Sequence, residues 1–261
     1  MNVGLIRSAG KSSSVSLRDI SRTRVRAVAR KELREFRRNR FIATTMAIMP
    51  VLFMVAPIAT IFGIPASAAA SKIDAGIGVS VLYLTLIPAL VPAVISSFAV
   101  IGEREQGTLE PVLTTPVRRE EMLIGKALAA FLPTLLVSYF MYGIFLAIAG
   151  IFAHPNVASA VFQAPRIVAQ LLFTPLLAGW SIWAGIAVST RANDVRVAQQ
   201  LGTLVSLPPL AITALMGFNV IRPTLHLALL LGAVLLLINV LAWRVVSTLF
   251  DRERLITGAK A

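Results

Sequence analysis

The chain has no cysteine and only two histidines. The first absence removes disulfides, thiolate nucleophiles and sulfur metal sites, and with them any reading of the redox compartment. The second leaves His154 and His226 far apart in sequence, short of the clustered histidines and carboxylates of a membrane metalloprotease. A nucleotide-binding loop is also missing. Gly4…Gly10-Lys11-Ser12 sets five residues between its glycines where a P-loop needs four, and Gly125-Lys126 is followed by Ala127 instead of Ser or Thr. The chain is therefore expected to be no enzyme and to hold no cofactor or metal of its own. Charge is scarce as well: 14% of residues are Asp, Glu, Lys or Arg, against about 25% in soluble domains. A water-soluble fold is excluded by that shortage.

What fills the chain is apolar surface, 57% of residues with a mean hydropathy of +0.80. A membrane-crossing helix needs about 20 consecutive apolar residues. Dividing the chain wherever a charge interrupts it leaves six sufficient intervals: Phe41 to Ser71, Ala75 to Gly102, Ala127 to Pro165, Ile167 to Thr190, Val197 to Ile221 and Pro223 to Trp243. The spans are placed at about 41–63, 77–101, 127–152, 167–189, 198–218 and 224–246. Helices are the expected form, because lipid offers no partner to a stray backbone group. Ala66-Ser67-Ala68 resembles a signal-peptide cleavage site, but the apolar run from Phe41 exceeds the roughly 7–15 residues of such a leader and reads as a retained span.

The net charge of +13 would ordinarily suggest nucleic acid. These charges instead sit at the edges of apolar runs, so no nucleic-acid partner is expected. Basic residues accumulate on the cytoplasmic side. With both termini inside, only Lys72, Arg166 and Arg222 of the 25 basic residues lie outside. That orientation predicts a multi-pass protein of the cytoplasmic, or inner, membrane.

Residues 1–21 read as a flexible basic tail, 22–248 as a single transmembrane domain and 249–261 as a cytoplasmic tail. From 22 to 40, Val25, Val28, Ala29, Leu33 and Phe36 recur at helical spacing among Arg24, Arg26, Arg30, Lys31, Arg34, Arg37 and Arg38. This predicts an amphipathic helix at the membrane interface, its basic face toward anionic headgroups. Glu32 falls inside the apolar stripe and breaks the pattern.

Between the second and third spans runs Gly102-Glu103-Arg104-Glu105-Gln106-Gly107-Thr108-Leu109-Glu110-Pro111-Val112-Leu113-Thr114-Thr115-Pro116-Val117-Arg118-Arg119-Glu120-Glu121. Gly107 suits a helix end, Thr115 a cap and Pro116 a first helical position, while Glu120 and Glu121 favour the next helix dipole. A short polar helical elbow is expected. It resembles the cytoplasmic signature of type-2 ABC exporter permeases, commonly written E-R-E-x-G-T-x-E-x-L-x-x-x-P. Lys31-Glu32-Leu33-Arg34, Arg38 and the Pro50-containing first span resemble that family's entry helix. The family's better-studied members often carry a re-entrant segment between the last two spans, for which Gly217 to Pro223 is too short.

The resemblance implies an all-α permease of six spans with an interfacial helix and a cytoplasmic coupling helix, working as a homodimer or heterodimer in the lipid bilayer. It implies an ABC ATPase partner that binds ATP and Mg, with export of an apolar or amphipathic solute such as a drug or lipid. Coupling would fall to Glu103, Arg104, Glu105, Gly107, Thr108, Leu109, Glu110, Thr115 and Pro116. Polar residues within the spans, notably Ser97, Ser138, Tyr142, Thr203, Ser206 and Asn239, are candidates for a substrate path. A secondary transporter or channel working without an ATPase is the alternative; ion coupling, however, typically leaves charged groups within the membrane.

Overall fold

A computed structural model describes residues 20–105, 107, 117–218, 220–221 and 224–249. Among these the fold is all-helical: α1 Arg22–Arg38, α2 Arg40–Gly63, α3 Ala70–Ser96, α4 Phe98–Glu105, α5 Arg119–Phe152, α6 Pro155–Val161, α7 Ala164–Arg191, α8 Val195–Gly217 and α9 Leu225–Leu249. Six stretches are long and apolar enough to cross a membrane: α2, α3 with α4, α5, α7, α8 and α9. Local signals set several helix starts. Asn39 alone separates α1 from α2, and its Oδ1 accepts from the amides of Phe41 and Ile42 at 3.0 and 3.3 Å. Asp194 caps α8 in the same way through the Arg196 and Val197 amides.

The helices extend past the apolar windows. Ser97 keeps helical dihedrals, and its amide donates to the Ala93 carbonyl at 3.1 Å, so α3 and α4 run on as one rod of 36 residues. At 1.5 Å per residue this rod is about 54 Å long, well beyond the roughly 30 Å hydrocarbon core. It is also the central element. Its apolar stretch is almost wholly buried among other helices, whereas α2, α5 and α9 bury only about a fifth of theirs.

Close packing around the rod depends on missing side chains. A Cβ on Gly78 would stand 2.1 Å from the Gly217 carbonyl oxygen, and one on Gly185 would stand 2.0 Å from Ser96 Oγ. The backbones of α3, α7 and α8 can meet only because neither residue has one. Near the far end of the rod, Arg166 joins three helices, its Nη2 on Asp74 Oδ1 at 2.6 Å and its Nη1 on the Ala160 carbonyl at 2.8 Å.

Prolines inside the helices free carbonyls that lipid cannot satisfy, and at Pro175 and Pro209 a neighbouring helix supplies the donor. Pro175 leaves the Leu171 carbonyl without its intrahelical donor, and Tyr139 Oη of α5 donates to it at 3.0 Å. Pro209 does the same to Val205, whose oxygen takes the Trp180 indole N–H at 3.0 Å. Asn239 Nδ2 of α9 donates to the Leu176 and Leu235 carbonyls, both at 2.9 Å. Helix α7 is thereby bonded to α5, α8 and α9. Trp180→Phe keeps an aromatic side chain, though a smaller one, and removes the N–H; loss of the hydrogen bond is expected to cost about 0.6–1.7 kcal/mol, read from the unfolding midpoint in detergent.

Candidate functional site

The densest set of charges among the described residues lies at the basic end of the bundle, where α1, the end of α4 and the start of α5 meet. Lys126 of α5 is 3% exposed, with Nζ at 2.8 Å from Glu32 Oε1 of α1 and 3.0 Å from Glu103 Oε1 of α4. Glu103 also accepts from Lys31 Nζ at 2.7 Å. Lys31 in turn lies 3.7 Å from Glu32 and 3.3 Å from Glu35. Two lysines thus bridge three helices through Glu32 and Glu103, both of them buried.

Elementary electrostatics accounts for the arrangement. A lone charge taken out of water costs several kcal/mol, and a buried one persists only when paired and hydrogen-bonded. Glu32, the flaw in the apolar stripe of α1, is one half of such a pair, and Lys126 at the apolar entry to α5 is the other. Burial alone would lower the Lys31 pKa, but the Glu103 hydrogen bond and the charges of Glu103, Glu32 and Glu35 raise it above the ordinary lysine value. A raised lysine pKa contributes stability that is fully present below about 10.4 and is lost as the pH rises above it. The joint therefore keeps this contribution throughout the neutral range.

Shape reinforces charge. The stripe of α1 rests on the first turns of α5, with Val25 buried and Phe36 packed on the main core. Gly125 makes the close approach possible, since its missing Cβ would lie 2.6 Å from Val28 Cβ and Cγ1. A second clasp sits one turn away: Glu121, fully buried, accepts from the Ser21 amide at 2.8 Å, from the Arg118 amide at 2.9 Å, and lies 3.1 Å from Arg24 Nε. The opposite face of α1 exposes Arg22, Arg26, Arg30, Arg34 and Arg38, one every four residues.

Of the residues expected to couple to an ATPase, Glu103 is in the joint, and Arg104 reaches the Ala192 carbonyl beyond α7 at 3.4 Å. Glu105 is exposed at the tip of α4. Gly107 is exposed too, and its φ of +67° is the left-handed conformation that follows a helix end. Thr108, Leu109, Glu110, Thr115 and Pro116, and with them the expected elbow, lie outside the described residues. In the entry helix, Lys31 and Glu32 are in the joint, Leu33 is half-buried, and Arg34 and Arg38 are exposed.

The residues considered for a substrate path do not form one group. Ser97 and Ser206 are buried around Gly202, where Ser206 Oγ donates to the Gly202 carbonyl at 2.7 Å and Thr203 is half-buried alongside. Ser138 and Tyr142 are buried one turn apart on α5, Tyr142 stacked on Phe145. Asn239 lies between α7 and α9. On sequence alone Lys126 figured only in a nucleotide-loop pattern that fails, and Glu121 only as a dipole partner. The available signal was two opposite charges, Glu32 and Lys126, each set in an apolar context.

A family model described as ABC-2 family transporter protein matches residues 26–249. No curated protein matches the chain.

Proposed function

The chain belongs to the ABC-2 family of transporter permeases, membrane subunits of ABC transporters, and on that premise we propose that it couples ATP hydrolysis by a separate ATPase subunit to solute export. The observation that carries the reading is the joint of Lys31, Glu32, Glu103 and Lys126. Glu103 belongs to the rod of α3 and α4 that forms the centre of the bundle, and it stands two residues before Glu105, which is exposed at the tip of α4 where the glutamate-containing loop begins. A force applied to that loop is carried into the rod, while the two lysines keep α1 and α5 in step with it. When the ATPases close, the three helices move together and α3 rocks against α2, α7 and α8.

In this reading the basic end faces the cytoplasm, where basic residues accumulate. Glu105 and Glu110 make charge-paired contacts with the ATPase, α1 lies at the membrane surface, and a second permease subunit completes the path. ATP and Mg belong to the ATPase. Among the described residues the charges of the six spanning helices lie near their ends, which favours an apolar or amphipathic cargo over an ion.

Reversing both contacts, Glu105→Lys with Glu110→Lys, tests the proposal. Like charges across an interface cost several kcal/mol and each 1.4 kcal/mol is about a tenfold change, so ATPase association should weaken about tenfold or more with membrane insertion unchanged. Unaltered association after both reversals counts against the elbow as the docking element.

A further inference from the structure

We propose that the groove between α5, α7 and α9 is a binding site for one phospholipid of the leaflet at the basic end, its acyl chain inside and its phosphate at the mouth. Helices α5 and α9 both pack on α7 but scarcely touch each other. The gap they leave is a cavity of about 460 Å³, lined among others by Leu128, Phe131, Leu176, Trp183, Leu236 and Trp243. Its size and lining match those of small-molecule sites, about 300–1,000 Å³ and predominantly apolar.

Depth selects a lipid chain as the occupant. On α5 the lining runs from Ile124 to Phe131, about 10 Å at 1.5 Å per residue, and ends about 18 Å from Arg119, so the groove lies within the leaflet at the basic end of a roughly 30 Å core. At its outer limit Trp183 and Trp243 meet edge to face with centroids 5.1 Å apart, the position where indoles mark a membrane interface. The groove is continuous with lipid-facing surface, Leu132 and Leu136 on α5 and Leu237 and Leu241 on α9 all being exposed. An apolar cavity of this kind does not hold water.

Chemistry separates a chain from a polar solute. The one amide in the lining, Asn239, turns its Nδ2 to two backbone carbonyls, and its Oδ1 lies against Gly179, within 2.5 Å of where a Cβ would be. Its donors are committed inside the protein. The mouth, by contrast, is cationic: Arg119 spans the gap between α5 and α9 by donating to the Ser247 carbonyl at 3.2 Å, and exposed Arg244 follows Trp243. A phosphate complements that pair. This site is independent of the ATPase reading, since it needs only a chain embedded in lipid.

The test is photolabelling of the full chain in vesicles containing phosphatidylglycerol with a diazirine at mid-chain. Adducts should concentrate on 124–131 and 236–243, diminish with excess unlabelled phosphatidylglycerol, and fall several-fold in Leu128→Trp and in Leu236→Trp. Leu236 is 55% exposed, so the larger ring fills the groove without disturbing the fold. Leu136→Trp, on the same helix but outside the groove, should change nothing. Adducts spread evenly over Leu132, Leu136, Leu229 and Leu230 would overturn the proposal as annular lipid only. So would copy-to-copy crosslinks through 124–131, or labelling that a phosphate-free alkyl probe displaces and phosphatidylglycerol does not.

Discussion

Lys126→Met is expected to destabilise the protein by about 3–5 kcal/mol, the usual cost of breaking a buried ion pair from one side. The substitution keeps most of the side-chain volume and removes the charge. Glu32 and Glu103, 4% and 5% exposed, would then compete with Glu35 for the single ammonium of Lys31. Adding Glu32→Leu removes one of those carboxylates, and the double variant should recover part of the loss. The pair is a double-mutant cycle, with contacting residues expected to couple by about 0.5–3 kcal/mol. Unfolding midpoints in one detergent supply all four corners. Strict additivity would mean that the 2.8 Å contact between Lys126 and Glu32 carries no energy of its own.

Gly78→Ala should cost about 1–3 kcal/mol or more, the range for forcing extra volume into a packed interior. The added methyl would sit 2.1 Å from the Gly217 carbonyl oxygen, a backbone atom that no rotamer change can move. Relief requires α3 and α8 to separate. Gly143 provides the control, because it is exposed on α5 and a Cβ there meets nothing within 4 Å. Gly143→Ala should stabilise by up to about 1 kcal/mol through helix propensity. Opposite signs from the same chemical change, read from thermal midpoints, would establish the α3–α8 crossing as a backbone contact; a Gly78→Ala variant as stable as the parent would contradict it.

The six spans were legible because the length of an apolar run is a local property that the bilayer converts directly into a helix. Their ends were less so. Helix α3 begins at Ala70, ahead of the expected span at 77, because Lys72 and Asp74 are polar without being helix breakers, and Asp74 finds Arg166 some 92 residues away. The joint was only half legible. Glu32 stood out as misplaced, but its partner is 94 residues distant, and no periodicity within α1 points to Lys126. Glycine contacts such as Gly78 with Gly217 leave no local mark either, since a glycine needed for close approach looks like any other in sequence. Glu103 and Glu105 were singled out through a resemblance; Glu103 is turned inward to the joint, and Glu105 is exposed at the tip of α4.

The most direct test of the borrowed motor is affinity purification of this chain from its native membrane in mild detergent, with mass spectrometry of what stays bound. A P-loop ATPase recovered in stoichiometric amount, and crosslinked to residues 103–121, is the expected result. Reproducible absence of any such subunit by both measures would contradict the account and point to a transporter or channel that works without one.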